Sequence, residues 1–276
     1  MHWWGRGRYA SGGTRLLGNY YSKHYGETLA KSARNKSRIM CDGSPDTIWN
    51  PGITMEAQLR ASRSYFHLVP APTVLPASLI KEFTPKAKFV IIMRNPTERL
   101  FSHYRYRGPS TNVDSHLNRT LENFDAGVKQ MKPILDFCFE KKSIRDCAYD
   151  PAFLLDGERT RVLLQVGLYV VYIKDWLTVF PRNQFYFTTT EEYGANPNRV
   201  MKEIFQFLAL DMGQNPEKML NDVIATYWPG HNSVDLGPMW PRTKRKLDAF
   251  YEPFNEALAA LLNDVKYLWR SDTDNL

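Results

Sequence analysis

Lys88-Phe89-Val90-Ile91-Ile92-Met93-Arg94-Asn95-Pro96-Thr97-Glu98-Arg99-Leu100-Phe101-Ser102 decides the fold. Residues 89–93 are continuously apolar, which predicts a central parallel strand covered on both faces. A helix is expected at once: Asn95 as its cap, Pro96 at its first position and Glu98 three residues after the cap. Ligands of open α/β sheets bind at the carboxyl ends of strands, where Arg94 stands. The helix start offers free backbone N–H groups and the positive end of a dipole, both suited to a phosphate. Arginine adds a permanently charged, bidentate fork, and Ser102 can add a hydroxyl two turns in. Residue types alone leave a second reading open: an Arg–Glu surface pair and a helix-face serine.

Working outward, a long amphipathic helix is expected over 162–180, stopping at Pro181. A strand is expected over 184–188. A helix then opens at Asn196-Pro197, with Val200, Met201, Ile204, Phe205, Phe207 and Leu208 at helical spacing. A last helix is expected over 244–262. Strands alternating with helices predict an α/β fold around a mostly parallel sheet. Upstream the signals weaken. Residues 1–37 are rich in Gly, Tyr, Arg and Lys, a strand is expected over 38–41, and Asp42-Gly43-Ser44-Pro45-Asp46 is turn chemistry. Loops and short helices broken by Pro70, Pro72 and Pro76 fill 52–83. No internal repeat or low-complexity tract interrupts the chain.

With 276 residues, 43% of them hydrophobic and 24% charged, the chain can build a core, and disorder is excluded as the default. The net charge of +7 suits an anionic partner: nucleic acid, anionic lipid or acidic polysaccharide. It fits a merely solvated surface equally well. No apolar run approaches the roughly 18 residues of a membrane span, and no signal peptide opens the chain, so it is expected to be soluble as written. Asn35-Lys36-Ser37 and Asn118-Arg119-Thr120 are glycosylation sequons that matter only in the secretory pathway. Cys138 and Cys147 flank a polar stretch and are expected to pair in an oxidising lumen, with two unrelated thiols as the alternative. Cys41, after Ile39 and Met40, reads as a small buried hydrophobe. No cysteine spacing matches a zinc site. The lack of a Gly-x-x-x-x-Gly-Lys-Ser/Thr sequence argues against a P-loop kinase.

The stretch from Arg94 to Ser102 resembles the 3′-phosphate-binding motif of sulfotransferases that use PAPS (3′-phosphoadenosine 5′-phosphosulfate). Arg161-Val162-Leu163-Leu164-Gln165-Val166-Gly167-Leu168-Tyr169, Asp175-Trp176-Leu177, Gly237-Pro238-Met239-Trp240-Pro241, Phe250-Tyr251-Glu252-Pro253-Phe254-Asn255 and His2-Trp3-Trp4 narrow the likeness. Together they resemble the carbohydrate sulfotransferase branch that adds a 6-O-sulfate to N-acetylgalactosamine 4-sulfate in chondroitin sulfate. That branch also has two cysteines where Cys138 and Cys147 stand. The resemblance implies a P-loop-NTPase-like sulfotransferase fold, a central, mostly parallel sheet flanked by helices, as a single partial domain over 1–276. It implies PAPS as donor, PAP as product, no metal, and a sulfated glycosaminoglycan rather than nucleic acid as partner. It also implies a Golgi lumen glycoprotein, held in the membrane by an N-terminal span that these residues do not include.

By the same resemblance Arg94 and Ser102 hold the donor's 3′-phosphate. Arg242 and Thr243 belong to a basic segment, 242–246, that resembles a loop closing over the donor or facing the polysaccharide, with a solvated helix start as the equal alternative. Two parts of the family pattern find no match. The lysine-bearing donor loop has only Ser11-Gly12-Gly13-Thr14-Arg15 as a candidate, which lacks the lysine and a preceding strand and reads as a decoy. The general-base glutamate precedes His-Trp-Trp in a Glu-Pro-His-Trp-Trp arrangement, but here Met1 takes the proline's place. His2 then matches a histidine beside the base that orients it, with an N-terminal histidine of no role as the equal alternative. The expectation is an N-terminally truncated domain without its first strand, donor loop and base. The competing expectation is an inactive copy that only binds sulfated polysaccharide.

Overall fold

The computed structural model describes residues 71–73, 75–106, 119–150, 153, 160–225 and 233–270, with isolated positions at 41, 43 and 47–49. Helix α1 (Pro76–Phe83) opens with proline at its first position. Strand β1 (Phe89–Met93) follows, and then α2 (Pro96–Arg105). The 21-residue helix α3 (Leu121–Lys141) and the short α4 (Ile144–Tyr149) come next. A 3-10 turn over Leu164–Gly167 leads into α5 (Tyr169–Val179). Strand β2 (Phe185–Thr189), α6 (Thr190–Ala195), α7 (Pro197–Leu208), α8 (Pro216–Ala225) and α9 (Pro241–Leu262) complete the order.

These elements fall into two units. The first holds α1, β1, β2, α6, α7 and α8. Its strands run parallel, with Phe89 opposite Phe185 and Met93 opposite Thr189. Phe89 fixes that pairing, its ring lying 4.7 Å from Phe180 and 5.0 Å from Phe185. The Gln184 carboxamide donates to the carbonyls of Pro85 (3.0 Å) and Ala87 (2.6 Å), tying the entry to β2 to the entry to β1. As expected, α7 starts at Asn196-Pro197, and Asn196 accepts from the Arg199 N–H. The expectation that both faces of β1 are covered is corrected: Val90 is 36% exposed and Ile92 50%. An unbroken apolar run specifies a strand but not what stands on each side of it.

The second unit holds α2, α3, α4, α9 and α5 as far as Thr178. Leu100, Phe101 and Tyr104 bury one face of α2, and Phe124 of α3 packs 5.1 Å from Phe101 and 5.0 Å from Tyr104, centroid to centroid. Thr120 caps α3 and its carbonyl accepts from the Tyr104 hydroxyl, so the two helices share one anchor. Cys138 at the end of α3 is bonded to Cys147 in α4, with Cα atoms 5.9 Å apart.

The helix expected over 162–180 is corrected to a 3-10 turn and a helix beginning only at Tyr169. Gly167 lies in that turn. A Cβ there would lie 2.6 Å from the Tyr251 ring and 3.0 Å from Pro96, so the chain passes as a tight strap beneath α9. The last helix begins at Pro241, not at 244. Residues 242–246 are therefore its first turns rather than a loop before it. Cys41 is exposed, not buried: an apolar triplet in the sequence is too short to demand a core position. The remainder of the strand expected over 38–41, both sequon asparagines, the Ser11–Arg15 loop and His2 lie outside the described residues.

Candidate active site

Arg94 is the residue between β1 and α2. Its carbonyl accepts a 3.0 Å hydrogen bond from the Tyr169 hydroxyl at the start of α5, which holds the backbone in place. Its side chain is half-buried, and among the described residues no acid pairs with its guanidinium. The Arg–Glu pair that residue types alone allow is thus not formed with Glu98.

The amide donors expected at the helix start are already used. Asn95 Oδ1 accepts from the N–H groups of Thr97 (2.9 Å) and Glu98 (3.2 Å). Pro96 has none to give, and the Arg99 N–H bonds the Asn95 carbonyl at 2.8 Å. Side chains must therefore do most of any anion binding here. Ser102 is exposed on the face that begins at Asn95 and Glu98, seven residues beyond the cap and about 10 Å along the axis. Within the first turn the Thr97 hydroxyl is buried and has no partner among the described residues.

Arginines gather around this helix that the sequence reading did not single out. Burial, and then the charges of Arg99, Arg161 and Arg119, pull the pKa of His103 down to about 4. The imidazole beside Ser102 is therefore neutral at pH 7, within the field of three guanidiniums. Arg99 is steered by a 3.0 Å bond to the Leu163 carbonyl. Arg161 sits in the left-handed region at φ 60°. These residues come from three separate segments, so no local spacing announced them.

Arg242 and Thr243 are drawn elsewhere. Thr243 is 1% exposed, and its hydroxyl donates to Asp125 Oδ1 at 2.6 Å. Arg242 reaches Asp125 Oδ2 at 3.3 Å and lies 4.2 Å over the Trp240 ring. Lys129 completes the cluster at 2.8 Å. Burial works to raise the Asp125 pKa, but hydrogen bonds from Lys129 and Thr243 and the charges of Lys129 and Arg242 outweigh it and hold it below the usual carboxylate value. The pair thus anchors the start of α9 to α3.

Residues 9–227 match the family described as the sulfotransferase domain. The chain belongs to that family. The matched span of this sulfotransferase domain contains Arg94 and Ser102 and ends before Arg242 and Thr243. The chain is 34% identical to carbohydrate sulfotransferase 15 of Mus musculus over 201 residues, 72% of this chain and 34% of that one. It is 27% identical over 224 residues to the bifunctional heparan sulfate N-deacetylase/N-sulfotransferase 4 of Mus musculus, 76% of this chain and 23% of that one. A crystal structure of a sulfotransferase from Alicyclobacillus acidocaldarius aligns with a TM-score of 0.42 at 22% identity, over 68% of this chain and 60% of that one. The chain spans about a third of the length of carbohydrate sulfotransferase 15.

Proposed function

We propose that this sulfotransferase domain takes part in moving a sulfuryl group from PAPS to a hydroxyl of a sulfated glycosaminoglycan, with the 6-OH of N-acetylgalactosamine 4-sulfate as the acceptor position. The observation that carries the reading is Arg94, held by Tyr169 at the end of β1 and without an acidic partner among the described residues, ahead of a helix that exposes Ser102. Arg94 and Ser102 would hold the donor's 3′-phosphate, and the guanidiniums of Arg99, Arg119 and Arg161 would add a positive field around it. When bound, PAPS supplies the activated sulfuryl group. As in phosphoryl transfer, positioning and charge stabilisation then carry most of the catalysis. His2 remains proposed as a neighbour of the general base.

The family match over 9–227 runs through segments of both units, which supports a single sulfotransferase domain. The Cys138–Cys147 disulfide fits an oxidising compartment and supports a Golgi lumen setting. Among the described residues no helix is long and apolar enough to cross a membrane.

The test is calorimetric titration of the purified chain with PAP. Removing a charge-assisted bidentate contact in Arg94→Ala should weaken binding about 10- to 100-fold, and Ser102→Ala about tenfold or less. Equal PAP affinity in the wild type and Arg94→Ala, or no binding by the wild type, overturns the reading.

A further inference from the structure

A groove of about 460 Å³ runs between α3 and α9, and the mechanism above does not use it. Val128, Pro133, Ala249 and Phe250 line its apolar part, and Lys129, Lys132 and Lys246 stand over it. The volume lies within the range of about 300–1,000 Å³ usual for ligand sites. The two helices run side by side in the same direction. Thr243 meets Asp125 near their amino ends, and Phe139 lies 6.4 Å from Phe250 and 5.9 Å from Phe254 further along. The groove is therefore built on rigid elements.

Its charge is not self-neutralised. Lys129 pairs with Asp125 and Lys132 with Asp136, but among the described residues Lys246 has no acidic partner. Lys246 belongs to the run Arg242-Thr243-Lys244-Arg245-Lys246 in the opening turns of α9, where there is no acid in the first turn. Cations at a helix amino end oppose the positive end of its dipole. Here Arg242 is relieved by Asp125 and Lys244 by Asp248, which leaves Arg245 and Lys246 without an acid among the described residues.

The chemistry of the groove selects among anions. Single-stranded nucleic acids are held by exposed aromatic platforms on which bases stack. Here the one aromatic ring, Phe250, is only 7% exposed, and Lys132 lies 5.6 Å above it. Aliphatic walls topped by compact ammonium charges suit a ligand with apolar C–H faces and separate anionic groups at its edges. We propose that the α3–α9 groove is a second holding site for a sulfated polysaccharide chain, with sugar rings against the exposed Pro133 and Ala249 and sulfates on Lys132 and Lys246. This deepens the reading above by giving the same acceptor class a grip away from the donor site, and it is read out separately.

The experiment titrates an end-labelled, size-defined chondroitin 4-sulfate oligosaccharide against the purified chain by fluorescence anisotropy at several salt concentrations. The double variant Lys132→Gln/Lys246→Gln should bind about tenfold more weakly in moderate salt and with a shallower salt dependence, since fewer counterions are exchanged. Ala249→Glu, which puts a carboxylate into the groove without removing a lysine, should weaken binding in the same direction. Both variants should keep wild-type PAP affinity, whereas Arg94→Ala should lose PAP and keep the oligosaccharide. Unchanged oligosaccharide affinity in both groove variants overturns the proposal, as does a wild type that fails to bind the oligosaccharide. Loss of PAP binding in the groove variants also overturns it, because the groove would then not be separate from the donor site. A single-stranded DNA of matched charge that competes equally well would make this a general polyanion surface and overturn the assignment to sugar.

Discussion

Replacing Gly167 by alanine tests how the second unit is held together. The added methyl would fall 2.6 Å and 2.9 Å from two atoms of the Tyr251 ring and 3.0 Å from Cβ of Pro96. The ring cannot swing away freely, because the Tyr251 hydroxyl donates at 2.9 Å to the Leu164 carbonyl and the side chain is buried. Overpacking of this kind costs about 1–3 kcal/mol, and relief through the unfolded chain returns about 0.4–1 kcal/mol. A net loss of about 1–2 kcal/mol is expected in urea unfolding, with the slope against denaturant unchanged. Pro96 begins the helix that carries Ser102, so PAP affinity should fall as well. Adding Tyr251→Leu makes room, and the double variant should be less unstable than the two single losses summed. A Gly167→Ala chain as stable as the wild type would refute the reasoning, as would strict additivity with Tyr251→Leu.

Two further predictions concern the same unit. His103 has a folded pKa of about 4 against an ordinary value of 6.5, so its contribution is complete above 6.5 and is lost as pH falls towards 4. By pH 5 this amounts to about 1–2 kcal/mol after allowance for partial exposure, and urea midpoints at pH 8 and pH 5 should draw together in His103→Gln relative to wild type. Closing the short loop between Cys138 and Cys147 should stabilise by about 2–3 kcal/mol, read as the difference in thermal unfolding between the wild type and Cys138→Ser/Cys147→Ser.

The strand–turn–helix from Phe89 to Arg105 was legible because each signal is local: an apolar run, then an asparagine cap, then proline. The same grammar gave α7 its start at Asn196. Helix α3 went unread although Phe124, Val128, Met131, Leu135 and Cys138 keep helical spacing, because Gly127 and Pro133 look like breakers. Pro133 is tolerated on the exposed face, and Gly127 is needed where Val162 would meet a Cβ at 2.7 Å. Arg94 and Ser102 were singled out by local pattern and family likeness, and their hold on the donor is the proposal made above. Asp125, which claims Thr243 and Arg242, lies more than a hundred residues away from them, and no spacing rule reaches that far.

Asn95 has one more implication. By occupying the first amides of α2 with its own carboxamide, it lets that helix begin without help from any phosphate. On the proposed reading, ligand grip and helix initiation then depend on different side chains. A descendant could then shed Arg94 or Ser102, and with them the proposed donor binding, while keeping the scaffold whole. Retained architecture in a relative is therefore poor testimony that it still works as a catalyst.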